Sequence, residues 1–362
     1  MQDYIQKKLK ELNFQKITPI QEEVFTNFNK NTNLVCISPT GTGKTHAYLL
    51  PILRKINWDQ NIIQAIIVTP TNELVFQIFE MINKIENKNS KIKILFGGIN
   101  RTKNYLKLEK KQPCMIITTL SKLFEYGYVL KKINIYKSSF LVLDEADMLF
   151  EEKSLILIKK ILYKQKWKPK ILLLSASLNT KMKPFINKHF GKSIFIDVND
   201  KHKLNLKYYI LKSNKNDRIK DLISFLKTIN PFLAFIFISK KKKQYDIYEI
   251  LKKKINILYF SSDLSVKERK RKIIEIKKNK YQYVITSDLA SRGLDIPNIC
   301  WIIHYDLPYK NLDFFQHRNG RTGRMNKEGN VIVFYDYEEE KYLLEIKKKK
   351  NINFKEIKLI NN

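Results

Sequence analysis

Residues 34–53 read LVCISPTGTGKTHAYLLPIL, an apolar β-branched run, a glycine-bearing turn and then a helical pattern. A buried strand that turns tightly into a helix is the opening of a βαβ unit. The turn itself, Ser38-Pro39-Thr40-Gly41-Thr42-Gly43-Lys44-Thr45, has the composition of a phosphate-binding loop. Glycines let the backbone curl its N–H groups around phosphate oxygens, and the helix N-terminus adds a favourable dipole. In such a loop Lys44 reaches the β- and γ-phosphates and the Thr45 hydroxyl ligates Mg2+. The strict pattern asks for glycine at position 38, where serine stands.

Working outward, further short apolar runs alternate with helical stretches. They are AIIVT (65–69), MIITT (115–119), FLVL (140–143) and ILLLS (171–175), then KYYIL (207–211), AFIFI (234–238), YVITS (283–287), CWIIH (300–304) and VIVFY (331–335). Strands alternating with helices predict parallel α/β sheets. The polar, aperiodic segment VNDKHKLN (198–205) separates two halves of similar size. It suggests a first domain over 1–200, a linker over 201–206 and a second domain over 207–362.

Directly after FLVL come Asp144-Glu145-Ala146-Asp147, carboxylates at the carboxyl end of a buried strand. Ligands of open α/β sheets bind at that edge. There Asp144 can hold Mg2+, and Glu145 can orient or deprotonate an attacking water. Solvated acids capping a strand would look the same, but would leave the upstream loop lysine unexplained.

Composition bounds the rest. With 362 residues, 44% of them hydrophobic, the chain can bury proper cores. Cys36, Cys114 and Cys300 match no zinc spacing and read as reduced core residues, which fits a cytoplasmic protein. No apolar run approaches the ~20 residues of a membrane span. The 68 Lys+Arg against 35 Asp+Glu give +33, spread over both halves. Such an excess suits a polyanionic partner, although a genome that enriches Lys, Asn and Ile accounts for part of it. The lysine runs at 240–243 and 347–350 read as solvated faces.

Taken together, Thr40 to Thr45 and Asp144 to Asp147 make the sequence resemble the DEAD-box ATP-dependent RNA helicases, most closely the bacterial cold-shock-type members. The likeness continues in the family's order across nearly the whole chain. It implies two RecA-like domains in tandem, each a parallel sheet flanked by helices, and a family in which Ser38 is an accepted residue. Phe14 with Thr18-Pro19-Ile20-Gln21 is similar to the Q motif, which implies that Gln21 reads the adenine edge while Phe14 stacks on its face. Ser175-Ala176-Ser177, with Asp147 and His317, corresponds to the residues that link hydrolysis to domain closure. Ser287 to Asp295 resembles motif V, implying that Asp295 accepts from the ATP ribose and that Arg292 and Gly293 lie near RNA. His317 to Arg324 resembles motif VI, with Arg321 and Arg324 in the arginine-finger positions.

On the RNA side the resemblance points to Pro70, Thr71, Gly97, Gly98, Thr119, Lys122 and Arg269, and here the chain departs from the family. Asn72 stands where the family has arginine, Thr119-Leu120-Ser121-Lys122 for Thr-Pro-Gly-Arg, Ser261-Ser262-Asp263 for His-Gly-Asp, and Val266 for glutamine. Family members hold the sugar–phosphate backbone, so these losses imply a less exact grip, offset by net charge and more sensitive to salt.

The expected activity is RNA-stimulated hydrolysis of ATP, with Mg2+, coupled to local and sequence-independent unwinding by a monomer. The alternatives are an ATP-gated RNA clamp that unwinds little, and a translocating DNA helicase, against which the Q motif and the Asp144 to Asp147 run argue.

Overall fold

The structure, a computed structural model, describes residues 2–97, 108, 111–163, 167–178, 182–199, 205–291, 296–308, 312–323 and 327–359. The chain divides into two compact units, Met1–Lys203 and Leu204–Asn362.

The first unit is built on seven parallel strands: β1 Asn33–Ile37, β2 Ala65–Thr69, β3 Ile92–Leu95, β4 Met115–Thr119, β5 Phe140–Leu143, β6 Lys170–Ser175 and β7 Ser193–Asp197. Their order across the sheet is β3-β4-β2-β5-β6-β1-β7. The apolar runs are continuous because both faces are covered: Leu34 and Cys36 of β1 enter one core cluster, Val35 and Ile37 the other. Helices Lys44–Lys55 and Asn72–Ile85 pack on the first face, and helices Glu152–Tyr163 and Met182–His189 on the second.

The second unit also has seven parallel strands: β8 Leu206–Lys212, β9 Ala234–Phe237, β10 Ile257–Phe260, β11 Tyr283–Thr286, β12 Trp301–His304, β13 Gly329–Tyr335 and β14 Phe354–Glu356. They are ordered β10-β11-β9-β12-β13-β8-β14. Numbered within each unit, both sheets run 3-4-2-5-6-1-7, one topology used twice. No residue-level repeat announces it.

All ten predicted strands are present, and the sequence reading omitted β3, β7, β10 and β14, which are the four edge strands. One cysteine differs from expectation. Cys36 and Cys114 are buried, whereas Cys300 is half-buried because it precedes β12 and lies outside the sheet core. Among the described residues no helix is long and apolar enough to cross a membrane.

Candidate active site

The strand order of the first unit divides its carboxyl edge into two halves. Loops after β1, β5 and β6 carry Lys44, Asp144 and Ser175, while those after β2, β3 and β4 carry Thr71, Gly97 and Lys122.

In the first half the loop folds on itself. Gly41 and Gly43 have φ of 82° and 90°, a region that side-chain-bearing residues rarely enter. At Gly43 space is short as well, since a Cβ would meet Gln21 Nε2 at 2.6 Å. Lys44 Nζ donates to the carbonyls of Ser38 (2.6 Å) and Pro39 (2.9 Å). Thr42 Oγ1 donates to the Pro39 carbonyl at 2.9 Å, which leaves it to accept from Ser38 Oγ at 2.6 Å. Ser38 N–H donates to the Ser175 carbonyl, joining the loop to the end of β6. Thr40 Oγ1 is buried and has no partner among the described residues. A burial without a partner costs roughly 1–3 kcal/mol, and an anion or its hydration shell in the loop would relieve it.

Asp144 is buried. Its Oδ2 accepts from Tyr48 Oη at 2.9 Å and its Oδ1 from the Glu145 N–H at 2.9 Å. Burial, with the Glu145 charge adding to it, pushes the Asp144 carboxyl up to about 7, against the opposing pull of Lys44 and of the Tyr48 and Glu145 hydrogen bonds. Glu145 sits at φ 49°, a strained left-handed backbone at the N-cap of the short helix Ala146–Leu149. Tyr48 was not anticipated from the sequence. It lies four residues beyond Lys44 on the same helix, and that i,i+4 spacing was the available signal.

Gln21 is fully buried at the third position of helix Pro19–Asn27. Its Oε1 accepts from the Thr18 N–H (3.0 Å) and its Nε2 donates to the Gly43 carbonyl (3.3 Å), so the amide braces the loop. Phe14 lies edge-on to His46 with ring centroids 5.0 Å apart. Thr45 is half-buried on the first turn of its helix. Ser175 Oγ donates to Asp147 Oδ1 (2.8 Å) and accepts from the Asp147 N–H (3.1 Å), whereas the buried Ser177 Oγ has no partner among the described residues. The hydroxyl that ties the carboxylate run to β6 is therefore the first serine, not the second.

In the other half, Thr71 caps helix Asn72–Ile85, its Oγ1 accepting from the Leu74 N–H. Asn72 Oδ1 accepts from the Gly97 N–H at 3.3 Å, so the residue that replaces arginine stitches two of the predicted RNA segments together. Thr119 stands at the N-cap position of helix Leu120–Leu123 without a side-chain cap bond, and Lys122 pairs with Glu125 at 2.5 Å. Pro70 is half-buried beside them.

In the second unit Arg269 is buried, its guanidinium donating to the Ala290 carbonyl and lying 4.6 Å over the Phe260 ring. His317 and Arg321 are half-buried at the end of helix Leu312–Asn319 and in the turn that follows. Sequence reasoning missed the neighbouring Arg318. Its Nε and Nη2 grip both oxygens of Asp288 at 2.6 Å, and its Nη1 donates to the Asp306 carbonyl and to His304 Nδ1. It pins the segment resembling motif V to the one resembling motif VI. Gly98, Arg292, Gly293, Asp295 and Arg324 lie outside the described residues.

Comparison with known proteins agrees with this layout. A family model described as DEAD/DEAH box helicase matches residues 18–185, and one described as helicase conserved C-terminal domain matches residues 214–326. The chain is 32% identical to the DEAD-box ATP-dependent RNA helicase CshB of Staphylococcus aureus, covering 92% of this chain and 75% of that protein. It is 30% identical to the probable ATP-dependent RNA helicase YfmL of Bacillus subtilis, covering 98% and 94%. Among solved structures it is similar to S. cerevisiae Dbp5 bound to RNA and ADP BeF3, with a TM-score of 0.84, 25% identity and coverage of 98% and 93%. It is also similar to Mss116 bound to single-stranded RNA and UDP-BeF, with a TM-score of 0.86, 26% identity and coverage of 98% and 78%.

Proposed function

This chain belongs to the DEAD-box family of ATP-dependent RNA helicases, and from that premise we propose how its residues perform RNA-stimulated ATP hydrolysis and local duplex unwinding. The observation that carries the reading is the split carboxyl edge of the first sheet. Phosphate-type residues stand after β1, β5 and β6, and backbone-gripping residues after β2, β3 and β4, with Ser175 and Asp147 hydrogen-bonded at the end of β6.

Residues Ser38 to Thr45 wrap the ATP phosphates, and Lys44 exchanges its loop carbonyls for phosphate oxygens. Weak neutral partners make that exchange inexpensive. Gln21 and Phe14 address the adenine. Thr45 and Asp144 would hold Mg2+, whose preference for oxygen donors their hydroxyl and carboxylate fit, while the buried, unpartnered hydroxyl of Thr40 suits a phosphate of the ATP. The ion would neutralise charge building up on the phosphates. Glu145 orients and deprotonates the attacking water, which its place directly after Asp144 on a strained backbone supports. Arg321 and Arg324 supply positive charge to the transferring phosphoryl, a contribution worth roughly 10³–10⁵ in rate in other phosphoryl-transfer enzymes. Asp295 would hold the ribose.

RNA is held through its backbone by Pro70, Thr71, Gly97, Gly98, Thr119, Lys122, Arg292 and Gly293, which suits separation of strands without regard to sequence. Arg269 acts from beneath, by fixing Ala290. Ser175, Ala176, Ser177, Asp147 and His317 relay occupancy of the nucleotide site to the RNA-side loops. Residues 1–200 and 207–362 are two domains joined by 201–206, and the protein works as a cytoplasmic monomer. An ATP-gated RNA clamp or chaperone with little unwinding activity is not favoured, since the relatives this chain resembles are named as helicases.

The test is ATP turnover with and without single-stranded RNA for the wild type and Glu145→Gln. The wild type should respond to RNA, and the variant should bind both ligands yet turn over very slowly. A wild-type rate indifferent to RNA would overturn the reading.

A further inference from the structure

Directly after the RNA-side helix Leu120–Leu123, the turn Phe124–Val129 and the exposed side of helix Glu152–Tyr163 enclose an open hollow of about 530 Å3. Among the described residues Tyr128, Ile156, Lys159, Lys160 and Tyr163 line it, none of them a carboxylate. We propose that this hollow is an auxiliary subsite for single-stranded RNA, where an unpaired base stacks on Tyr163 and a flanking phosphate meets Lys159 and Lys160. The inference rests on the RNA-helicase reading and adds to the backbone grip a contact made to a base.

Two observations point to a stacking platform. Tyr163 is 62% exposed and Ile156 beside it 55% exposed, so a ring face and an aliphatic side chain stand open next to each other. Both rings are nevertheless braced. Tyr163 Oη pairs with His189 Nδ1 at 2.8 Å, and its ring stands at 88° to the imidazole, which fixes the edge and leaves a face open. Tyr128 lies nearly parallel to Phe124, with centroids 4.7 Å apart and planes at 13°. Rings that are already ordered lose little entropy when a base arrives.

The charge of the hollow selects the occupant. Among the described residues lining the hollow Lys159 and Lys160 face no acid, and Glu125, the acid of the adjoining turn, pairs with Lys122. A positive field is also registered by His189, whose pKa is held below its ordinary value by burial and by Lys159 and Lys188. A comparable tyrosine-lined hollow in the second unit, at Tyr245 and Tyr259, is different: Asp263 and Glu268 line it and offset Lys241 and Lys242. Of these two hollows, the one in the first unit joins open aromatic surface to lysines that no described acid lining it offsets, the combination that holds single-stranded nucleic acid.

The test measures binding of an unstructured RNA oligonucleotide to the full chain over a range of salt, alongside RNA-stimulated turnover. Tyr163→Ala should weaken binding about five- to tenfold, while Tyr163→Trp should retain it. An otherwise identical oligonucleotide with abasic residues should bind the wild type more weakly and should not distinguish wild type from Tyr163→Ala. Lys160→Gln should reduce the slope of log affinity against log salt by about 0.7. Turnover without RNA should be unchanged in all three variants. The proposal is overturned if Tyr163→Ala binds like the wild type, or if it loses as much on the abasic oligonucleotide. It is equally overturned if a glutamate-rich peptide, and not RNA, is what the variant fails to bind. Were RNA to leave wild-type turnover unstimulated, the helicase reading itself would fail; loss of the Tyr163 effect alone removes only the subsite.

Discussion

The two sheets share one strand order, yet the same place in each does opposite work. In the first unit the helix after the first strand begins with Lys44, and a carboxylate, Asp144, follows the fifth strand. In the second unit the matching helix begins with Arg218, and Asp306 follows the fifth strand. Lys44 rests on neutral carbonyls that a phosphate can displace. Arg218 is locked to Glu339 at 2.5 Å, lies 3.5 Å from Asp336 and 3.9 Å from Asp306, and donates to the carbonyls of Tyr305 and Ser213. Those acids would repel a polyphosphate and cannot leave. One topology therefore supplies a loop whose lysine rests on neutral carbonyls and another whose cation is paired with acids; the side chains at the strand ends decide which.

The sharpest way to break this contrast is to empty each site in turn. Arg218→Ala takes the guanidinium away from the buried Glu339 and leaves Asp336 only the exposed Lys215 at 3.6 Å, and should destabilise the second unit by about 3–5 kcal/mol. Adding Glu339→Gln should recover part of that loss. Denaturant titration checks both, and a cost under about 1 kcal/mol would mean that the network is not holding the unit together. Lys44→Ala should do the reverse. It removes a charge meant for a ligand, so turnover should fall about 10²–10³-fold while the denaturation midpoint barely moves. A large loss of stability with retained turnover would invert the assignment of the two loops.

A third test concerns His304, buried beneath the Arg318 network. Arg318 Nη1 donates to its Nδ1, so the ring proton sits on Nε2 and is donated to Asn319 Oδ1 at 2.7 Å. Burial and the Arg318 charge hold its pKa well below the ordinary 6.5, with the Asn319 hydrogen bond opposing them. The unfolded chain therefore takes up the proton first, and stability should fall as the pH drops below 6.5. The loss approaches about 1.4 kcal/mol per pH unit from this one group. Melting the protein between neutral and mildly acidic pH measures the slope. In His304→Gln that slope should shrink by one proton's worth, whatever the variant's stability at neutral pH.

Much of the fold could be read from the chain because interior strands of a parallel sheet are apolar on both faces. Edge strands carry a mixed message. Ser193–Asp197 exposes Phe195 and Asp197, and Ile92–Leu95 contains a half-buried lysine. Ile257–Phe260 is apolar but sits between lysine-rich flanks, which hide it. The site divided similarly. Glycine turns and strand-end carboxylates leave local patterns, so Gly43, Lys44 and Asp144 stood out. Tyr48 offered only its i,i+4 spacing from Lys44, its partner lying 96 residues away, and the partners of Arg318 and Asn72 lie 30 and 25 residues away, pairings that no local pattern encodes.

The smallest expected effect lies at Asn72, where the RNA half of the first unit departs from its family. The asparagine spends its carbonyl on the Gly97 N–H, so it orders the loop without offering charge. Asn72→Arg should exchange that order for one more phosphate contact. RNA affinity should then rise at low salt, and the slope of log affinity against log salt should steepen by about 0.7. Asn72→Ala, which loses the link and gains nothing, should weaken binding at every salt concentration with the slope unchanged. If the arginine variant binds like the wild type throughout, the missing arginine is not what sets the grip. If it instead weakens to the same extent as Asn72→Ala at every salt concentration, the Gly97 link is the property that matters at this position, and the two variants fall on one line.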